Sequence, residues 1–350
     1  NPARGFFFIR VSRQNRRITM TERFCELKRL AERLKLDDFF VFDPADILAL
    51  TGIDCDNACL SKNAIYTDFR YTAAIHRTAP WLKVRDIKRI AKVKGRIGLP
   101  SSISYARFMQ FSNKFPDSEF IDIDDKIKSL RMVKTKDEQD KIHRAEALNV
   151  AIWNDAKVKF AAGMTERDMA RIIKVMMHER GDGEAFPTIV CVGANAAECH
   201  HVPDDTVWKG CDPVLVDMGV KLDGVCSDLT RNIKPKRVSR LYRQVYDLVK
   251  TANLAAIAAA RPGITCRDLD KVARDIITSG GFGECLGHSL GHGVGYEIHE
   301  APTVSKKSKV VLKPGMVVTI EPGIYLEGNI GVRIEDMILI TESGCEVLSK

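Results

Sequence analysis

The sequence predicts an α+β protein with two domains, a smaller α/β domain followed by a larger domain that contains an internal repeat. The chain has 350 residues. Because domains usually have roughly 100–200 residues, this length favours two of them. Before residue 135, short apolar strands alternate with helices; after it, the order helix, helix, paired strands occurs twice, over about 138–232 and 239–340. We therefore predict an N-terminal α/β domain over 20–134 and a second domain over 135–350.

The smaller domain is predicted from short segments with clear breaks between them. Thr21 can cap a first helix in which apolar residues recur every three or four positions. The apolar run over 39–42 is typical of a short buried strand, and Asp43-Pro44 ends it. The predicted elements are a helix over 21–34, a strand over 39–42, a helix from residue 45 to 50, and strands over 64–67 and 95–99.

The larger domain begins with a long amphipathic helix. Ile142, Ala145 and Leu148 belong to its apolar stripe, and Gly163 follows its end. The segment from Thr165 to Asp168 resembles a helix-capping signature, which predicts that a second helix begins directly after it. The predicted elements are helices over 135–161 and 165–178, strands over 188–192 and 214–218, helices over 239–260 and 265–279, and strands over 317–320 and 332–340.

The charge distribution argues against nucleic-acid binding as the main function. The formal net charge is +8, but residues 1–19 carry five arginines and no acid, so the charge is +3 without them. These arginines are Arg4, Arg10, Arg13, Arg16 and Arg17. We interpret residues 1–19 as a basic extension or a tag remnant, and an arginine-rich segment without acids also resembles a transit peptide.

The apolar segments and the cysteines indicate a cytoplasmic protein without a membrane span. The longest stretch of small apolar residues, Ala252 to Ala260, has nine residues and is interrupted by Asn253. A membrane-spanning helix needs about 20 apolar residues. The ten cysteines are scattered and form no CxxC pair. In a chain of this length without a secretory signal, we interpret them as reduced thiols.

Four acids in repeated settings predict a metal site. Asp217 and Glu321 each end an apolar run, and Asp228 and Glu335 lie on the predicted return strands, 11 and 14 residues later. A buried ionised carboxylate costs several kcal/mol unless it is paired or binds a metal. A duplicated unit can place all four carboxylates around one central axis. The alternative is that each acid ends a strand and meets solvent.

Histidines strengthen the prediction of a metal site. Five of the eight histidines are His200, His201, His288, His292 and His299, and the last three fall within twelve residues. His288 and His292 lie in the glycine-rich segment 287–295, where backbone can approach a bound group closely. A lone histidine is usually a packing or surface residue, whereas three in such a segment indicate a site.

With these motifs in view, the sequence resembles the metallopeptidases of the pita-bread fold, which include aminopeptidase P, Xaa-Pro dipeptidase (prolidase) and methionine aminopeptidase. The resemblance covers about residues 130–350. A looser match to the family's creatinase-like N-terminal domain separates the chain from the shorter methionine aminopeptidases. The matching segments are 216–219, 227–231, 291–295, 298–302, 313–316, 320–323 and 331–336 in the larger domain and 50–52 and 68–71 in the smaller one.

The resemblance implies a set of site residues and two divalent metal ions. An oxygen-rich donor set with one imidazole favours Mn²⁺, with Co²⁺, Fe²⁺ and Zn²⁺ as alternatives. Two such ions lower the pKa of a bridging water and clamp the reacting oxygens. The implied metal ligands are Asp217, Asp228, His292, Glu321 and Glu335. The implied catalytic residues are His299, Glu321 and His200, and the implied substrate-binding residues are His288, Arg333 and Tyr325.

The function that the resemblance implies is hydrolysis of the Xaa-Pro bond at the N-terminus of peptides. Family dipeptidases often have an arginine where this chain has Thr303, which favours aminopeptidase P over prolidase. Two other classes are alternatives: a metal-dependent non-peptidase hydrolase or lyase on the same fold, and a non-catalytic peptide-binding protein. The family also implies a homodimer, and proline-containing peptides as the partners.

Overall fold

The computed structural model describes residues 20–350, and the basic segment 1–19 lies outside these described residues. The chain divides into two units, one ending at Asp124 and one spanning Asp125–Lys350. The domain boundary expected between residues 134 and 135 stays a prediction. Across the described residues, no helix combines the length and the apolar composition that a membrane crossing requires.

The first unit contains a six-stranded mixed sheet. Its strands are β1 (Asp38–Val41), β2 (Ala58–Ser61), β3 (Ala64–Thr67), β4 (Lys83–Asp86), β5 (Gly95–Leu99) and β6 (Ser118–Asp122). They lie in the order β4-β3-β2-β1-β5-β6, with β5 parallel to both β1 and β6. The sequence did not predict β4 and β6, because these edge strands bury too few side chains to show an apolar pattern.

The helices of the first unit begin at side-chain caps. They are α1 (Glu22–Arg33), α2 (Pro44–Thr51), α3 (Phe69–Thr78) and α4 (Tyr105–Lys114). Thr21 accepts a hydrogen bond from the backbone N–H of Phe24, so the predicted cap of α1 is confirmed. Asp43 caps α2 in the same way. The sequence analysis missed α3 and α4, which bury only one residue each.

The second unit has two pairs of helices, one pair in each half of the repeat, preceded by the short helix α5 (Asp124–Met132). The pairs are α6 (Lys136–Lys157) with α7 (Glu166–Arg180), and α8 (Arg240–Ala259) with α9 (Cys266–Ser279). Thr135 and Thr165 form capping boxes at α6 and α7. The prediction that the first helix continues to residue 161 was wrong. It ends at Lys157, and Phe160 then packs into the core.

The strands of the first half form two small antiparallel sheets. They are β7 (Gly183–Glu184), β8 (Ile189–Val192), β9 (Val214–Met218), β10 (Val220–Leu222), β11 (Val225–Cys226) and β12 (Leu229–Ile233). Strand β9 pairs with β8 on one side and β12 on the other. Strands β10 and β11 form a short hairpin between β9 and β12 in sequence. Helices α6 and α7 pack on the sheet formed by β8, β9 and β12 and share one apolar core with it.

The second half repeats this arrangement on a larger sheet. Its strands are β13 (Gly291–Gly293), β14 (Glu300–Val304), β15 (Val317–Ile320), β16 (Gly323–Leu326), β17 (Ile330–Arg333), β18 (Asp336–Ile340) and β19 (Cys345–Val347). Strands β15 and β18 pair, as β9 and β12 do, with the hairpin β16–β17 between them in sequence. The single strand predicted over 332–340 is therefore wrong. The chain leaves β17 at Arg333 and starts β18 at Asp336, because the two strands belong to different sheets.

Candidate metal centre and active site

The two strand pairs of the repeat bring four acids into one cavity. Asp217 lies in β9 and Glu321 directly follows β15, while Asp228 and Glu335 lie directly before β12 and β18. Asp228 and Glu335 were expected within the second strand of each pair, but each lies one residue before that strand. All four line a single cavity of about 600 Å³. The duplicated strand pairs therefore place two carboxylates from each half around the same space.

His292 lies among these acids with a defined tautomer. Its Nδ1 is 3.1 Å from the carbonyl oxygen of Gly293, which can only accept, so Nδ1 carries the proton. Nε2 faces the acids, 3.3 Å from Glu321 Oε1 and 3.6 Å from Asp228 Oδ2. Although burial acts against it, the contact with Glu321 raises the pKa of His292 in the metal-free protein, and a metal ion would take the Nε2 lone pair in place of a proton. One ligand atom each from Asp228, His292 and Glu335 lies within 4.8 Å of the others. This is the geometry of a cation site.

An unpartnered oxygen of Asp217 also points to a cation. Asp217 Oδ1 is buried and has no hydrogen-bond partner. The hydroxyl of the nearby Thr230 has one proton, and it donates that proton to Glu335 Oε2 at 2.7 Å. A buried carboxylate oxygen without a donor costs free energy, which a bound cation would recover. The residues present therefore fit a divalent metal.

Burial raises the pKa values of three of the four acids. For Asp228 and Glu335, burial and then the charges of neighbouring carboxylates hold the pKa well above its ordinary value. Burial also raises the pKa of Asp217, although Arg333 opposes it. Burial is also the largest single influence on Glu321, but the hydrogen bond and charge of His292 together with the charges of His288 and Arg333 lower the pKa of Glu321 overall. Without cations, these carboxylates repel one another, so the cluster is built for positive charge.

Arg333 links the metal-binding side of the cavity to its other wall. Its Nη2 donates to Asp217 Oδ2 at 2.7 Å, and its Nη1 donates to the Tyr325 hydroxyl at 2.8 Å. The Tyr325 hydroxyl is 3.0 Å from Nε2 of His288. His288 Nδ1 lies 2.7 Å from the Ser289 carbonyl, so Nδ1 carries the proton and Nε2 accepts from Tyr325. Arg333, Tyr325 and His288 therefore form one ordered chain of hydrogen bonds.

The other two predicted histidines also reach the cavity. The rings of His299 and His292 are in edge-to-face contact, 4.3 Å between centroids. Burial and the charge of His292 lower the pKa of His299, which keeps this imidazole neutral near pH 7. His200 lines the cavity. His201 lines the cavity as well, and its Nε2 lies 2.7 Å from the buried carboxylate of Glu166.

Taken together, nine of the ten predicted site residues line the cavity. The tenth, Tyr325, contacts two of them, Arg333 and His288. The nine are His200, Asp217, Asp228, His288, His292, His299, Glu321, Arg333 and Glu335.

Several supporting residues were missed by the sequence analysis. Glu146 on α6 is fully buried and accepts a hydrogen bond from the backbone N–H of Asp228 at 3.2 Å. Arg231 donates to the carbonyl oxygen of Glu335 at 2.5 Å. The carboxylate of Glu300, next to His299, is buried between Arg131 and Lys134. One signal was available for Glu146, since it lies on the apolar face of α6, four residues after the buried Ile142.

The fold and this acid-rich site define a metallopeptidase. The profile of metallopeptidase family M24 matches residues 140–342, and that of the creatinase/prolidase N-terminal domain matches residues 23–133. The chain belongs to metallopeptidase family M24. The predicted pita-bread fold with a creatinase-like N-terminal domain is therefore confirmed, and so is the prediction of a metallo-exopeptidase.

Individual relatives cover almost the whole chain. The Xaa-Pro dipeptidase of Pyrococcus furiosus is 35% identical over 342 residues, which are 95% of this chain and 98% of that protein. The structure of a prolidase from Pyrococcus horikoshii matches with a TM-score of 0.89 at 30% identity, covering 94% of this chain and 98% of that one. The structure of an X-Pro aminopeptidase from Thermotoga maritima matches with a TM-score of 0.83 at 33% identity, covering 92% and 97%.

Proposed function

We propose that the protein is a dinuclear-metal exopeptidase that hydrolyses the bond between the first residue of a peptide and a proline at the second position. The observation that carries this proposal is the convergence of four carboxylates, two of them buried, and His292 in one cavity. The relatives named for Xaa-Pro substrates support the choice of bond. Proline lacks an amide N–H and restricts the residue before it, so this bond needs a dedicated site.

The metal ligands in this proposal are Asp217, Asp228, His292, Glu321 and Glu335. Two divalent ions would balance the charge of four carboxylates and so offset both causes of the raised pKa of Asp228 and Glu335, which are burial and the repulsion between neighbouring acids. When bound, such ions activate a water for attack and polarise the scissile carbonyl. Mn²⁺ is the ion that best suits an oxygen-rich donor set with one imidazole, with Co²⁺, Fe²⁺ and Zn²⁺ as alternatives.

The remaining residues have roles that follow from their contacts. Glu321, whose pKa is lowered by His292, is ionised and can accept a proton from the attacking water. Neutral His299 can donate a hydrogen bond to the oxygen of the tetrahedral intermediate. His200 lines the cavity and can hold the substrate carbonyl. His288, fixed by Tyr325 and Arg333, forms the wall against which the proline ring packs.

The cavity favours peptides longer than two residues. A dipeptidase must neutralise the carboxylate of its product proline. Among the described residues that line the cavity, Arg333 is the one lysine or arginine, and Asp217 already pairs with it. Thr303, which also lines the cavity, carries no charge. We therefore place the protein with the aminopeptidase P type. Xaa-Pro dipeptidase is the second candidate, favoured by the relatives from the two Pyrococcus species.

Hydrolysis assays with matched peptides test the proposal. The protein is incubated with an Xaa-Pro dipeptide and an Xaa-Pro-Yaa tripeptide, with and without Mn²⁺, and Asp228→Ala is the blank. We expect metal-dependent release of the first residue from the tripeptide. Preference for the dipeptide would make the protein a prolidase. Two bound metals without cleavage of either peptide would contradict the proposal and favour a non-peptidase hydrolase or lyase, or a peptide-binding protein.

Three finer predictions belong to the same proposal. The protein is a homodimer, as the family resemblance implies, and sedimentation at micromolar concentration should give twice the chain mass. It acts in the cytoplasm, a location supported by its ten free cysteines. Proline-containing peptides, rather than nucleic acids, are its partners, and the low charge outside residues 1–19 supports this choice.

A further inference from the structure

Two asparagines are buried at matching positions of the repeat. Asn149 on α6 and Asn253 on α8 each lie 14 residues after the residue that caps the helix, which is Thr135 in one and Ser239 in the other. Their exposed fractions are 0% and 2%. A polar side chain in an apolar core costs free energy unless it is hydrogen-bonded, so the partners of these amides show what they do.

Asn253 joins the two acid-bearing segments of the second half. Its Nδ2 lies 3.0 Å from the carbonyl oxygen of Ile320 and 3.3 Å from that of Ile334. These two residues directly precede Glu321 and Glu335. An amide NH₂ group has two protons, and here each one goes to a different segment. The side chain of Asn253 therefore fixes the distance between the backbones that carry both acids.

Asn149 does the same in the first half with the help of Glu146. Its Nδ2 lies 3.0 Å from the carbonyl oxygen of Met218, directly after Asp217, and 3.5 Å from Glu146 Oε2. The same Glu146 oxygen accepts the backbone N–H of Asp228. Asn149 thus holds the segment that carries Asp217 directly, and it holds the segment that carries Asp228 through Glu146.

We propose that Asn253 and Asn149 are positioning residues that set the separation of the two acid-bearing segments in each half, and through it the affinity for divalent metal. Neither side chain touches the oxygens that would bind metal, so they act through the backbone. This inference rests on the proposed metal centre. It adds residues that the metal ligands themselves do not reveal.

The test compares two substitutions in the same helix. Asn253→Ala removes both hydrogen bonds, whereas Val249→Ala removes apolar volume from the same core and, because valine has no polar side-chain group, removes no hydrogen bond. Mn²⁺ binding to each full-length protein is measured by calorimetric titration, and the melting temperature is measured on the metal-free protein. Loss of a supporting hydrogen bond around a metal site typically weakens binding by about 10- to 100-fold. We expect at least about tenfold weaker binding for Asn253→Ala and less than a twofold change for Val249→Ala.

The outcomes separate this inference from the proposed function. If the wild-type protein binds no Mn²⁺, both fail together. If the wild type binds Mn²⁺ and Asn253→Ala binds equally well, only the positioning role is wrong. The positioning role would also be wrong if Val249→Ala had the same melting temperature as Asn253→Ala and weakened Mn²⁺ binding equally. General destabilisation of the core would then explain the weaker binding. If Asn253→Ala does not fold, Asn253→Ser takes its place, with the same expected weakening of at least about tenfold.

Discussion

The two halves of the second unit are alike in their carboxylates and different in everything else around the cavity. Each half supplies one acid at the end of a first strand and one directly before its partner strand. In contrast, His288, His292, His299 and Arg333 all come from the second half, and the first half adds His200. The repeated residues are all proposed metal ligands, whereas of the unrepeated residues only His292 is a proposed metal ligand and the others are proposed to serve catalysis or substrate binding.

The halves are also joined across the cavity by polar contacts. Thr230 of the first half donates to Glu335 and accepts a hydrogen bond from Arg333 Nε at 3.1 Å. Arg231 donates to the Glu335 carbonyl oxygen and to Asp336 Oδ1. The proposed metal centre therefore draws on hydrogen bonds between both halves rather than on two independent sets of residues.

The largest expected effect tests whether the paired acids are equivalent. Asp228→Asn in the first half and Glu335→Gln in the second should each lower kcat/KM for an Xaa-Pro-Yaa tripeptide by about 10³-fold or more. Metal catalysis contributes several kcal/mol, and about 1.4 kcal/mol corresponds to a factor of ten. The assay is run at saturating Mn²⁺, with the bound metal measured in parallel. Retention of near-normal activity by either variant would break the equivalence of the halves.

A smaller effect tests the connection between the halves. Thr230→Val keeps the shape of the side chain but removes the donor to Glu335 and the acceptor for Arg333. We expect Mn²⁺ affinity to fall by about 10- to 100-fold, as for other residues that orient metal ligands. Calorimetric titration measures it, and Thr251→Val on the exposed side of α8 is the control. Unchanged affinity would mean that Glu335 is oriented without Thr230.

The sequence could predict the four acids but not most of the residues that hydrogen-bond to them. Asp217 and Glu321 stand out because a charge in an apolar strand is unusual in the local sequence. Thr230 and Arg231 look ordinary locally, and their importance comes from Glu335, more than 100 residues away in the chain. Hydrogen bonds of that separation depend on how the two halves pack, which a local pattern does not contain.

The same distinction applies to the fold. The repeat was visible because long helices and apolar strands have strong periodicities. The break between β17 and β18 was missed because the apolar residues on either side of Glu335 read as one strand, although the two parts belong to different sheets. In the first unit, the exposed edge strand β4 has no apolar face from which to predict it.

A pH effect sharpens the comparison through Glu146, which lies in the first half, accepts the Asp228 N–H there, and reaches the second half through Ser349. Burial raises its pKa from 4.5 to about 8, so the folded metal-free protein keeps this carboxyl protonated where the unfolded chain ionises it. The resulting stability is fully present below pH 4.5 and is lost as the pH rises towards 8. Between pH 5.5 and 7.5 the contribution of Glu146 to the free energy of unfolding should fall by about 2.5 kcal/mol, close to the limit of about 1.4 kcal/mol per pH unit.

Glu146→Gln should remove this part of the pH dependence, because the amide does not ionise. Urea unfolding of the metal-free protein at both pH values measures it. The control is Glu119→Gln, an exposed glutamate in the first unit, which should keep the wild-type slope. An unchanged slope in Glu146→Gln would assign the pH dependence to the other buried acids.

The smallest expected effect compares the caps of two corresponding helices. Thr165 at α7 forms a full capping box with Asp168. Thr265 at α9 accepts the backbone N–H of Asp268, without the reciprocal bond to its own N–H. Asp168→Ala removes the reciprocal bond from the Thr165 N–H, whereas Asp268→Ala has no such bond to remove, so each should lower the free energy of unfolding by up to about 1 kcal/mol, with the larger loss at Asp168. Thermal or urea unfolding measures both, and an equal loss would show that the reciprocal bond adds nothing.

The number of divalent ions bound per chain tests the central claim most directly. Native mass spectrometry of the full chain with increasing Mn²⁺ counts these ions without relying on turnover. If each half supplies two carboxylates to one shared centre, wild-type protein binds two ions per chain, and Asp228→Ala loses at least one. A single ion at saturation, or two ions that persist in Asp228→Ala, would contradict a centre built from both halves.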